Sequence, residues 1–241
     1  MFTLLLITRL LKKMSFFITN PELDKQISEI RRRIMLSMNG EVTEQMTRNG
    51  ILYKKNYGVD IPRLKQIAAL YRPNHDLAQR LWNLQIRETM ILATLLEPVE
   101  SFTPENANRW LADFSQTEII EQVTQNLLSK LPYAETLCLE WINTDDVRAQ
   151  TSAFLIAARI YNQIFEESTT LIIDRGIQLS TSENYALLCA IARCLSRLCR
   201  KNEPTMLHIE EKIQSLCDGS SSGKNIICEE VKQEIIFLRE R

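Results

Sequence analysis

The sequence predicts an all-α fold built from antiparallel helix pairs, and three observations carry that reading. Apolar residues recur at helical spacing through most of the chain, while runs of alternating β-branched residues are nearly absent. Gly and Pro are sparse, 6 and 7 in 241 residues, too few for the many turns of a β-sandwich. The helical stretches come in pairs that each span roughly 35 to 45 residues, the period of HEAT-like repeats. No pair can bury its own apolar face, so stacking has to build the core. The expected product is an α-solenoid, a right-handed superhelix whose concave side is the natural binding surface.

Residues 1–14, MFTLLLITRLLKKM, hold a short apolar run followed by Arg9, Lys12 and Lys13. A secretory leader places its cations before the apolar run, and this run is too short to span a bilayer. The segment is expected to be an extension outside the fold, with Met14 as the working start. Residues 15–241 are then a single repeat domain. Asn20-Pro21 opens the first helix, a cap residue followed by Pro in the first turn. Leu23, Ile27, Ile30, Ile34 and Leu36 form its apolar stripe. Arg31, Arg32 and Arg33 are consecutive, so they splay over more than one face. A short helix over about 41–48 ends at Asn49-Gly50, a C-cap signal.

The stretch 56–97 organises the rest. Gly58 marks a tight approach that needs a positive φ. Asp60 is an N-cap, with Pro62 in the first turn behind it. Leu64, Ile67, Ala68 and Tyr71 share one face, and Pro73 stops that helix. A second amphipathic segment carries Leu77, Leu81 and Trp82. A third carries Ile86, Met90, Ile91, Ala93 and Leu95 around the pair Arg87-Glu88.

Thr103-Pro104 begins the next helix, with Trp110, Leu111 and Phe114 facing inward. Ser115 and Glu118 read as a capping box for a longer helix that buries Ile119, Ile120, Val123, Leu127 and Leu128. Leu131-Pro132 ends it. Further helices are expected over 133–141, 145–165, 168–178, 183–201, 203–217 and 226–239. The one flexible linker is DGSSSGKN, residues 218–225. The three tryptophans, Trp82, Trp110 and Trp141, are read as core.

Charge excludes a dedicated polyanion binder of the usual kind. With 29 basic and 30 acidic residues the net charge is -1, so any nucleic-acid contact must come from a local patch. The six cysteines form no CxxC pair, and only His75 and His208 accompany them, so no zinc site is expected. They read as reduced, buried thiols of a cytoplasmic protein. No cofactor, metal or membrane partner is implied, nor any nucleophile–base pair or Gly-rich phosphate loop.

One constellation does suggest a partner. Arg193, Arg197 and Arg200 stand at i, i+4 and i+7 on an otherwise apolar helix, and Lys201 continues the row. On the preceding long helix Arg148, Ser152 and Arg159 share a polar face. Two such stripes on neighbouring repeats would line the concavity and contact DNA phosphates. The competing reading is a solvated outer face.

Three blocks, YGV at 57–59, PRLKQIA at 62–68 and LWNLQIRE at 81–88, together with LEWINTDDV at 139–147, resemble the AlkD-type DNA alkylation repair family. The resemblance covers about 50–201. It implies HEAT-like repeats, double-stranded DNA as partner and a monomer. Active members are DNA glycosylases that release cationic alkylpurines. Their centre is a Trp-Trp-Asp-x-x-Asp-like pattern, whose second acid stabilises charge on the sugar while the tryptophans stack on the lesion or its sugar. Here the matching stretch is 115–121. Gln116 and Thr117 stand where the aromatics would be, and Glu121 stands at the catalytic acid. The position of a family Arg falls on Thr151, and that of a third Trp falls on Arg193. The expectation is a DNA-binding protein with reduced or lost glycosylase activity. The alternatives are an active glycosylase using Glu121 and a protein-interaction scaffold.

Overall fold

The computed structural model describes residues 19–217 and 222–240. Among them are thirteen α-helices and no strand, which is the all-α class the periodicity predicts. The extension 1–14 lies outside the described residues. Residues Met1–Pro98 and Val99–Arg241 form two compact units, each treated by itself.

The first unit contains α1 (Pro21–Leu36), α2 (Gly40–Arg48), α3 (Ile61–Ala68), α4 (His75–Asn83) and α5 (Arg87–Leu96). Its starts follow the sequence signals. The side chains of Asn20, Asn39, Asp60 and Asn74 each accept a backbone N–H from the first turn of the helix they cap. α3 ends at Ala68, five residues before Pro73, so proline is not what stops it. The core is formed by Leu23, Ile30 and Ile34 of α1, Leu64 and Ile67 of α3, and the buried faces of α4 and α5.

One buried charge fixes the long connection between α2 and α3. Glu88 is fully buried, and its carboxylate accepts the backbone N–H of Tyr57 at 3.1 Å and of Val59 at 3.3 Å. Arg87 donates to Glu88 at 3.0 Å and to the Val59 carbonyl at 2.8 Å. The connection is thereby satisfied by side chains where no helix partner exists. Gly58 lies within it at φ +70, and a Cβ there would sit 2.1 Å from the Asn39 carbonyl oxygen. Gly58→Ala is therefore expected to destabilise by about 2–4 kcal/mol, since the backbone oxygen cannot move aside as a side chain can. Urea denaturation measures this, and a midpoint unchanged from wild type would show that the loop relaxes freely.

The second unit contains α6 (Pro104–Leu111), α7 (Thr117–Asn126), α8 (Ala134–Ile142), α9 (Val147–Ile160), α10 (Glu166–Gln178), α11 (Tyr185–Leu198), α12 (Glu203–Cys217) and α13 (Ser222–Arg239). In one layer α7 packs on α9, α9 on α11 and α11 on α13. The helices α8, α10 and α12 back that layer. α9 and α11 are apolar on most of their surface because each is wedged between two neighbours and a backing helix. Only Arg159 on α9, and Arg193 and Arg197 on α11, break the buried pattern toward solvent in their later turns.

Several expectations need correction in this unit. The cap of α7 is Gln116, not Ser115, and no side-chain cap bond forms there. Ser152 belongs to no polar face: it is fully buried, and its hydroxyl donates to the Arg148 carbonyl at 2.8 Å. The linker is shorter than expected, since α13 already includes Ser222. Cys217 and Cys228 are joined as a disulfide, tying the end of α12 to α13, whereas all six cysteines were expected to be reduced. Cys138, Cys194 and Cys199 are free and buried, and burial pushes the thiols of Cys138 and Cys199 up to about 12. The tryptophans are core, with exposures of 2% or less. Trp141 also donates its indole N–H to Asn108 at 2.9 Å.

Candidate functional site

A cavity of about 290 Å³ opens between α7, α9 and α11. α7 contributes Thr117 and Glu121, α9 contributes Thr151 and Leu155, and α11 contributes Tyr185, Ala186, Cys189, Ala190 and Arg193. Spacing explains the lining. Thr117 and Glu121 are i and i+4 on α7, Thr151 and Leu155 on α9, and Cys189 and Arg193 on α11, so each helix presents one stripe.

Glu121 and Arg193 meet across this cavity, from helices 72 residues apart, at 3.1 Å. Both side chains are about half exposed, at 41% and 48%. The Glu121 carboxylate is thus paired with a guanidinium. Arg159 stands beside them with only a neutral partner, the side-chain oxygen of Gln125 at 3.3 Å. Burial, then the like charges of Arg193 and Arg197, lower its pKa from the ordinary arginine value, while Glu121 pulls the other way. Arginine nevertheless stays protonated in proteins. Arg197 is exposed and forms no ion pair among the described residues. Three arginines, Arg159, Arg193 and Arg197, thus gather around Glu121, with Glu230 near Arg193, although the chain as a whole is not basic.

The other predicted contacts are placed differently. Arg200 is exposed, but it forms a two-pronged bond with Glu234 of α13, at 2.6 and 2.8 Å. Lys201 does not continue the row. Its side chain is 9% exposed, and its ammonium donates to the Ile164 carbonyl at 2.6 Å and to Thr169 at 2.7 Å. It closes the entrance to α10 because the turn after α11 rotates it inward. Arg148 is held by Asp146 at 2.6 Å and by the Ala112 carbonyl at 3.2 Å, and Arg148 in turn keeps the Asp146 carboxyl below its usual range.

The structure also adds residues that sequence reasoning missed. Tyr185, 69% exposed, puts an aromatic ring on the cavity. Glu230 lies near Arg193, and burial raises its carboxyl above the ordinary value while Arg193 opposes that. A Tyr opening an apolar helix was the available signal for the first. Glu230 and Glu234 at i and i+4 were the signal for the second, but only packing shows which helix they face.

Together these features define a helical-repeat protein with a cavity flanked by Arg159, Arg193 and Arg197. The chain belongs to the DNA alkylation repair enzyme family, whose pattern matches residues 30–208. A solved structure of "a new family of proteins related to the HEAT-like repeat DNA glycosylases with affinity for branched DNA structures" superposes with a TM-score of 0.73. It shares 15% identity and covers 88% of this chain and 94% of its own. At that identity the likeness establishes the HEAT-like fold. Two engineered proteins align over 90% and 91% of this chain, 94% and 93% of their own, at 19% and 16% identity, with TM-scores of 0.38. No curated relative matches. Among the described residues no helix is long and apolar enough to cross a membrane.

Proposed function

We propose that this protein binds the sugar-phosphate backbone of double-stranded DNA as a monomer, through Arg159, Arg193 and Arg197, and that it does not accelerate alkylpurine excision. The observation that carries this reading is the Glu121–Arg193 ion pair beside two arginines without acidic partners. Phosphate oxygens complete such a cluster, because they supply the charge that Glu121 only partly provides. The same pair argues against glycosylase chemistry. Stabilising a positive sugar requires an uncompensated carboxylate held close to it, and here a guanidinium already occupies that carboxylate.

The affinity for branched DNA carried by the structurally similar protein is extended here to this chain. A branch point places phosphates of several strands near one another, which suits a compact cationic cluster better than a smooth duplex does. Fluorescence anisotropy with a linear duplex and a three-way junction of equal length tests the reading. Tighter binding to the junction is expected, and equal affinity would remove the branched-DNA part of it.

Catalysis has its own test. Alkylpurine release under single-turnover conditions should proceed near the uncatalysed rate, and Glu121→Gln should leave it unchanged. A preorganised charge is worth about two to three orders of magnitude, so a working site would be obvious. Rapid release that vanishes in the variant would establish Glu121 as a functional substitute for the family's aspartate.

A further inference from the structure

We propose that the first unit carries a second surface for the DNA phosphate backbone, on the edge formed by α1 and α3. This rests on the DNA binding argued above and adds where another DNA arm is held. The near-neutral total charge conceals a split. Residues 1–98 hold 15 basic against 9 acidic side chains, net +6, while residues 99–241 hold 14 against 21, net -7. The positive field that attracts DNA from a distance therefore belongs to the first unit.

The described residues of this unit, 19–98, hold 12 basic against 9 acidic side chains, and part of that excess lies along the edge of α1 and α3. Arg33 pairs with Glu29 at 2.6 Å, and Arg33, Arg32 and Lys25 together hold the Glu29 carboxyl below its usual range. Three cations thus surround one carboxylate on α1. Arg63 donates to Ser37 at 3.0 Å and to Gln66 at 3.0 Å, which brings the first turn of α3 to the end of α1. Lys25, Arg32 and Arg63 are exposed and form no ion pair among the described residues. Asp24, the nearest other acid on α1, is engaged by Arg80 at 3.3 Å. Glu22 on α1 and Asp60 at the start of α3 are exposed too, yet Lys25, Arg32 and Arg63 keep no ion pair among the described residues, which leaves three cations available to phosphate. Two phosphate-binding surfaces on one chain would engage two arms of a branched DNA, and each bound arm raises the effective concentration of the next. Leu36 and Met38 lie exposed at the end of the same helix, so an anionic membrane is the competing partner.

The test uses the full-length chain with Lys25→Gln, Arg32→Gln and Arg63→Gln combined. All three positions are exposed, and circular dichroism should show wild-type helicity. Binding to a three-way DNA junction is measured as a function of salt, beside the Arg159, Arg193 and Arg197 triple variant. Each lost phosphate contact lowers the slope of log affinity against log salt by about 0.9, so a fall of about 2.7 is expected. Combining both sets should reduce the slope further. An unchanged slope in the first-unit variant, with weakened binding in the second-unit variant, would overturn this inference and leave the proposed function standing. Wild-type protein that binds no DNA would overturn both. Loss of binding to phosphatidylglycerol vesicles with DNA binding intact would assign the edge to membrane instead.

Discussion

Replacing Arg159, Arg193 and Arg197 together by Ala is expected to weaken junction binding by about two to three orders of magnitude at about 0.1 M salt. Each phosphate contact releases close to one condensed counterion, worth nearly a factor of ten at that salt, and three contacts are lost. The loss should be alike for all sequences, because backbone contacts carry no base information. Folding should survive. The three side chains are exposed, and the groups left behind are the half-exposed Glu121, the amide of Gln125 and Glu230 near Arg193. Glu121→Gln gives an opposite and smaller change: removing the carboxylate paired with Arg193 should tighten binding a few-fold. Anisotropy titrations at several salt concentrations measure both. A triple variant that binds like wild type would place the DNA elsewhere, and weaker binding by Glu121→Gln would mean that the carboxylate orients Arg193 for its phosphate.

Glu88→Ala is the substitution expected to do most damage to the fold, at about 3–5 kcal/mol. It strands the buried Arg87 guanidinium and leaves the N–H groups of Tyr57 and Val59 without their acceptor. For a chain of this size that corresponds to a fall of roughly 6–20 °C in Tm. Thermal unfolding followed by circular dichroism is the measurement. The comparison that isolates the mechanism is Glu29→Ala, another carboxylate beside an arginine but on the exposed side of α1, which should shift Tm little. Similar losses from both would mean that burial of Glu88 is not what matters. Loss from Glu88→Ala without change in DNA affinity per folded molecule would confirm that this pair serves the fold alone.

Much of the fold was legible because it is local. Asn20, Asp60 and Thr103 cap the helices they were expected to cap, and Gly58 has the positive φ its position asked for. Helix ends were less legible. The long helix expected over 145–165 runs only Val147–Ile160, because where a helix stops depends on what its last turn packs against. Arg193, Arg197 and Arg200 are exposed, as polar residues on one stripe of an apolar helix should be, but their partners were not readable. Arg200 faces Glu234 and Lys201 turns inward, and neither partner is near in sequence.

By itself, then, the sequence determined the helical class, the caps at Asn20, Asp60 and Thr103, and the family, since each depends on local residue patterns. It also marked Glu121 and Arg193 separately as residues of interest. Only the tertiary structure decided that these two neutralise each other, that Tyr185 stands on their cavity, and that Glu88 holds the Tyr57–Val59 backbone. Charge is the physical reason. A side chain's type fixes its charge, but whether that charge is free to act depends on counter-charges brought within about 4 Å by packing, and packing joins helices that the chain keeps far apart.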